Sequence, residues 1–107
     1  MDQGADVNTV DGLGRTALMW SAFHGSEEII DILITGGAYL DFQDNAGRTA
    51  LVWAAISGRS RAVDRLLRVG ADASIRDVTG MNSADWAAKE GHAALTQTLK
   101  SAARSRK

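Results

Sequence analysis

The residues with the most chemistry to offer are His24 and His92, the two histidines of the chain. They lie in distant segments, and neither has a second ligand at metal-binding spacing, so no metal site is expected from them. Asp85 and Glu90 flank Trp86 as a pair of carboxylates would flank a reacting bond. Helix capping and solvation account for both. No glycine series runs into Lys-Ser or Lys-Thr, so no phosphate loop is present. There is no cysteine, which removes thiolate and disulfide chemistry and fits a reducing, cytoplasmic setting. Catalysis, a metal and a cofactor are therefore not expected. Recognition is the chemistry left. The three tryptophans supply it, because each buries about 150 to 250 Å² when covered and the type is enriched at binding hot spots.

Trp20, Trp53 and Trp86 are spaced by 33 residues. The same period carries Gly14, Gly47 and Gly80; Gly25, Gly58 and Gly91; and Gly4, Gly37 and Gly70, together nine of the eleven glycines. Asp11, Asp44 and Asp77 keep it, as do Leu33, Leu66 and Leu99. So do Ala5, Ala38 and Ala71, and Ala22, Ala55 and Ala88. A shared period of this length marks stacked copies of one supersecondary unit, whose core is linear rather than central.

Within one unit, Thr16 is expected to cap a helix carrying Ala17, Leu18, Met19 and Ala22 that ends at Gly25. Ser26 is the expected cap of a second helix. Glu27 and Glu28 sit in its first turn, where the helix dipole favours negative charge, and Ile29, Ile30, Leu33 and Ile34 form its apolar face. Gly36 and Gly37 stop it. Asp44-Asn45-Ala46-Gly47 predicts a turn or small hairpin into the next unit. The second unit repeats this plan, with Ala62, Val63, Leu66 and Leu67 as the buried face of its second helix. The third opens with Asn82, whose partner three residues on, Asp85, completes a capping box. Its second helix keeps Leu95 and Leu99 but places Thr96, Gln97, Thr98 and Lys100 where apolar residues stood, as an end unit requires. After Leu99 the sequence Ser101 to Lys107 is expected to fray.

The strings Gly14-Arg15-Thr16-Ala17-Leu18, Gly47-Arg48-Thr49-Ala50-Leu51 and Gly70-Ala71-Asp72 resemble ankyrin repeats over nearly the whole chain. The resemblance implies an all-α solenoid of helix-turn-helix units joined by short β-hairpins or turns. It divides the chain into the tail of a preceding repeat (residues 1–10), repeat one (11–43), repeat two (44–76), a C-terminal capping repeat (77–103) and a basic tail (104–107). The family usually has Pro where this chain has Ala17, Ala50 and Ser83, and His where it has Met19, Val52 and Asp85. These departures remove preorganisation and a side chain that ties neighbouring turns, and predict modest stability.

The resemblance also implies protein recognition on the concave helix face and the turn tips. The residues expected there are Leu13, Arg15, Trp20, Phe23, His24 and Gln43 in repeat one; Arg48, Trp53, Ile56, Ser57 and Arg76 in repeat two; and Met81, Trp86, Lys89 and Glu90 in repeat three. The tryptophans would form a ladder with rungs about 8 to 10 Å apart, the usual helix spacing. They serve either a partner peptide or only the packing between repeats. The alternative function is a structural spacer within a longer repeat protein. The outer flank of repeat one, around Ile29 and Leu18, is expected to be uncovered, by truncation of a longer array or for a partner or a second copy.

Residues 1–45 hold eight acidic and one basic residue, and residues 46–107 five acidic and eleven basic, so charges of −7 and +6 hide behind a net of −1. Such polarity can steer a partner, within a screening length of about 8 to 10 Å at physiological salt. Arg61, Arg65 and Arg68 share one helix face and suit a phosphate. A pI near 6.0 and the lack of a nucleic-acid motif argue against nucleic acid as the partner. The longest apolar stretch, Ile29 to Ile34, is far short of the roughly 20 residues a membrane helix needs.

Overall fold

Thr16, Thr49 and Asn82 occupy the same place in successive repeats, and each starts a short helix by accepting a hydrogen bond from the third residue on. Thr16 Oγ1 accepts from the Met19 amide at 3.3 Å, Thr49 Oγ1 from Val52 at 3.2 Å and Asn82 Oδ1 from Asp85 at 2.9 Å. Where the third residue has an acceptor, the bond is returned. Met19 Sδ accepts from the Thr16 amide at 3.4 Å and Asp85 Oδ2 from the Asn82 amide at 3.1 Å. Val52 has none to give.

In the computed structural model, which describes residues 6–105, these caps open α1 (Ala17–His24), α3 (Ala50–Ser57) and α5 (Ser83–Lys89). Each is followed by a second helix: α2 (Glu27–Thr35), α4 (Ser60–Arg68) and α6 (Ala93–Ser105). No strand occurs among the described residues, so the units are joined by turns. Gly4 and Ala5, and Arg106 and Lys107 of the basic tail, lie outside the described residues.

Helices α1, α3 and α5 form an inner row and α2, α4 and α6 an outer row, in a stack measuring 42 × 27 × 25 Å. Alanines set the inner spacing. Ala22, Ala54, Ala55 and Ala87 are fully buried, and their small side chains let the inner helices approach more closely than the outer ones. Leucines and branched residues fill the space behind: Leu18, Ile30, Leu51, Val63, Leu66 and Leu99 are each 1% exposed or less. Each such side chain contributes about 1.5 to 3 kcal/mol on burial.

Several sequence expectations are corrected here. Leu18 is not part of an uncovered flank, because it is 1% exposed within the apolar core; Ile29, at 50% exposure, and Ile32, at 65%, are the open residues of that flank. Ser26 stands at the N-cap of α2 but makes no side-chain capping bond. The segment after Leu99 does not fray at once: α6 continues through Ser105, with Ala102 and Ala103 packed on the core.

Neighbouring units are tied by polar contacts as regular as the apolar ones. The Tyr39 amide donates to Asn8 Oδ1 at 2.8 Å, and one repeat later the Asp72 amide donates to Asp41 Oδ1 at 2.9 Å. Arg59 Nε donates to the Phe23 carbonyl at 3.1 Å, and the His92 ring lies 3.3 Å from the Ile56 carbonyl through Nε2. Both side chains reach back over the C-terminal end of the preceding inner helix, where a carbonyl lacks an intrahelical donor. His92 is therefore an inter-repeat clasp as well as a turn residue. It also explains Gly58, which has φ +72° and where a Cβ would lie 2.5 Å from the imidazole. Gly91 has φ +82° with no atom within 4 Å of such a Cβ. Gly91→Ala should therefore cost only the left-handed strain, about 1 kcal/mol, and Gly58→Ala about 2 kcal/mol or more, since the ring must also move. Urea unfolding of the two variants checks the order; equal losses would show that His92 yields freely.

Candidate interaction surface

The turn-facing end of the inner row is organised by Asp11, Asp44 and Asp77. Each folds its own turn by accepting amide bonds at Oδ1: Asp11 from Leu13 and Arg15, Asp44 from Ala46 and Arg48, Asp77 from Thr79 and Met81, at 2.9 to 3.2 Å. The turns are then registered on one another. The Asn45 amide donates to the Leu13 carbonyl at 3.0 Å, and the Val78 amide to the Ala46 carbonyl at 2.9 Å.

The second carboxylate oxygen decides what the neighbouring tryptophan does. Trp53 Nε1 donates to Asp44 Oδ2 at 3.0 Å, and Trp86 Nε1 to Asp77 Oδ2 at 2.7 Å. In repeat one that oxygen is taken by Arg15 Nε, at 3.0 Å. Trp20 is left 46% exposed and stacks on His24, with ring centres 5.8 Å apart and planes 11° from parallel. The Asp-to-Trp offset of nine residues is constant along the sequence and was the available signal for these anchors.

Arg48 lies between two rungs. Its guanidinium carbon is 5.0 Å from the Trp53 ring centre and 4.8 Å from that of Trp86. Its buried Nε has no hydrogen-bond acceptor and stands 3.7 Å from Asp77 Oδ2. That distance is beyond a hydrogen bond, so the charge is held by ring faces and a nearby carboxylate together. Arg15 sits over the Trp20 ring at 4.8 Å. Phe23 meets Trp53 edge to face, with centres 5.8 Å apart. Trp53 and Trp86 are half-buried on either side of Arg48, each bonded to its own aspartate, with Phe23 against Trp53 alone.

None of the candidate surface residues is buried. Leu13, His24, Gln43, Arg76, Lys89 and Glu90 are exposed, whereas Arg15, Phe23, Arg48, Ile56, Ser57 and Met81 are partly covered. Ser57 Oγ is turned inward to the carbonyls of Trp53 and Ala54, and Arg76 bonds the Gly80 carbonyl at 2.7 Å. Two recesses open among these residues. An apolar one of about 130 Å³ is walled by Arg15, Met19, Trp20, Phe23 and Trp53. A cleft of about 320 Å³ between the first two turns is lined by Leu13, Arg15, Asp44, Asn45, Ala46, Arg48 and Trp53. On the outer helices, Arg61 and Arg65 both pair with Glu27, so the arginine face expected for a phosphate is partly neutralised.

A sequence model of ankyrin repeats (3 copies) matches residues 1–77 and 38–105. The chain belongs to the ankyrin-repeat family. No curated protein matches it. Ankyrin repeats are generally protein-protein interaction modules and are typically non-enzymatic. Among the described residues, no helix is long and apolar enough to cross a membrane, and no three His, Asp or Glu side chains gather as a metal site would require.

Asp77 ties this ankyrin stack to pH. Burial pushes its pKa up, but hydrogen bonds from Thr79, Trp86 and the Met81 and Thr79 amides outweigh that and hold it below the ordinary 3.8. Because the folded value is depressed, the carboxylate contributes stability that is complete above 3.8 and is lost as pH falls through the folded pKa. Stability should therefore drop below pH 3.8. Asp77→Asn should be less stable at neutral pH and flatter below it, as measured by urea midpoints across the acid range.

Proposed function

We propose that this ankyrin stack binds a segment of another protein along its inner face, with repeat one as the main anchor. The observation that carries this is the apolar recess walled by Met19, Trp20, Phe23 and Trp53, beside a tryptophan that is 46% exposed. Its volume of about 130 Å³ suits one large apolar side chain. An exposed tryptophan next to a recess offers apolar area without a large ordering cost, which is the pattern of a binding hot spot. Trp53 and Trp86, already engaged with Asp44, Asp77 and Arg48, hold the surface in shape and offer their remaining edges. In the spacer alternative the inner face has no ligand.

Trp20 is the residue to change, because it supports the least of the core. Trp20→Ala should leave the unfolding midpoint nearly unchanged and weaken a captured partner by about tenfold or more, the loss expected at a hot spot. Thr35→Ala, at an exposed position on the outer helix, is the comparison. Equal binding by the two variants in a quantitative pull-down would support the spacer alternative.

A second reading rests on Ile29, Ile32 and Tyr39, which are 50%, 65% and 63% exposed on repeat one. A second copy of the chain covering this flank would remove them from water. Sedimentation of the unaltered chain should then show a concentration-dependent dimer that Ile32→Asp abolishes; a monomer at all concentrations rejects this reading.

A further inference from the structure

The seat occupied by Arg48 has an equivalent one repeat earlier. In the occupied seat, a guanidinium lies 4.8 Å over the Trp86 ring centre, and its Nε is 3.7 Å from Asp77 Oδ2. Asp44 and Trp53 reproduce that pair, with the indole Nε1 bonded to the carboxylate at 3.0 Å in the same way. The arginine that corresponds to Arg48 is Arg15, and it has turned back to Asp11 at 3.0 Å. Among the described residues, no cation stands within 4.0 Å of the Asp44 carboxylate. The cleft of about 320 Å³ that Asp44 and Trp53 line is bounded by Leu13, Arg15 and Asn45.

Arg48 already lies over one face of the Trp53 ring, at 5.0 Å; we infer that this cleft receives the guanidinium of an arginine from the partner protein, seated beside Asp44 and against the part of Trp53 that Arg48 leaves free, as Arg48 is seated over Trp86 and beside Asp77. The two arginines already at its rim do not oppose a third, since Arg15 is neutralised by Asp11 and Arg48 faces Asp77. Asp44 is only 8% exposed. A carboxylate so far removed from water gains more from an incoming cation than one on the open surface. The excess of acidic residues over residues 1–45 adds a longer-range attraction for a basic segment. Guanidinium is favoured over ammonium because it can lie flat on an indole while directing N–H groups at an acid in its own plane.

This inference rests on the inner-face reading and fixes one feature of the partner, a basic side chain next to the apolar anchor. The test is titration of the full chain with a blocked Gly-Gly-Arg-Gly-Gly peptide, following the assigned indole N–H resonances by NMR. The Trp53 resonance should move and saturate in the millimolar range, ahead of Trp20 and Trp86. The citrulline peptide, which has the same shape without the charge, should bind about tenfold more weakly or not at all. Asp44→Asn, which keeps an oxygen for the Ala46 and Arg48 amides but gives up the bond from Trp53 Nε1 and so shifts the unliganded Trp53 resonance, should remove the difference between the two peptides. Equal binding of arginine and citrulline by the unaltered chain overturns the inference, as does a Trp53 resonance that never moves. If either occurs while Trp20→Ala still weakens the captured partner, the inner face binds without a cation seat. If Trp20→Ala has no effect, the broader reading fails instead.

Discussion

No repeat in this molecule buries its own apolar surface; each depends on the neighbour that covers it. Helix α3 shows the constraint most directly, since Ala50, Leu51, Val52, Ala54 and Ala55 are all buried in a helix of 8 residues. A helix that is apolar around most of its circumference is stable only with cover on several sides. Here α1 and α5 cover two of them and α4 a third. Alanine at the contacts keeps the inner row close, which brings the aspartate turns into hydrogen-bonding register and lets one repeat's arginine reach the next repeat's tryptophan. The polar surface features depend on that spacing.

Three nearly identical turns end up in different states because each side chain chooses among partners in its own repeat and in the next. Asp44 and Asp77 hold an indole N–H, while Asp11 holds Arg15. Arg48 reaches forward to Trp86 and Asp77, whereas Arg15 stays over its own tryptophan. Phe23 braces the edge of Trp53; its counterpart one repeat later is the aliphatic Ile56. Repetition of sequence therefore does not produce repetition of surface. The inner face becomes graded, with an exposed rung at Trp20 and half-buried rungs beyond it that are bonded to aspartates and flank Arg48.

Much of the architecture was legible in the residues alone. The period located every helix pair, and the Thr16, Thr49 and Asn82 caps were readable because a cap is a contact across three residues. The Asn82 and Asp85 box falls in the same class. What the sequence misplaced involved distant neighbours. Leu18, expected on an open flank, is buried in the core. Ser26 has the right residue type for a cap but makes no such bond. Alanines after Leu99 find the core to pack on and prolong α6. Arg59 and His92 gave no local hint of their bonds to carbonyls 36 residues back, because such a bond is visible only once the repeats are stacked.

By itself the sequence determined the repeat, the helix pairs, the caps of the inner helices and the family, since these follow from periodicity and from interactions within a few residues along the chain. It also placed the three tryptophans at equivalent positions. Only the tertiary structure decided that Trp20 is open while Trp53 and Trp86 are held by Asp44 and Asp77, and that Arg48 rather than Arg15 fills a seat between rings. Those outcomes turn on competition between partners within one repeat, four or nine residues apart, and partners in the next repeat, 29 or 38 residues away. Such a competition is settled by distances of a few ångströms between neighbouring repeats, which no local pattern encodes.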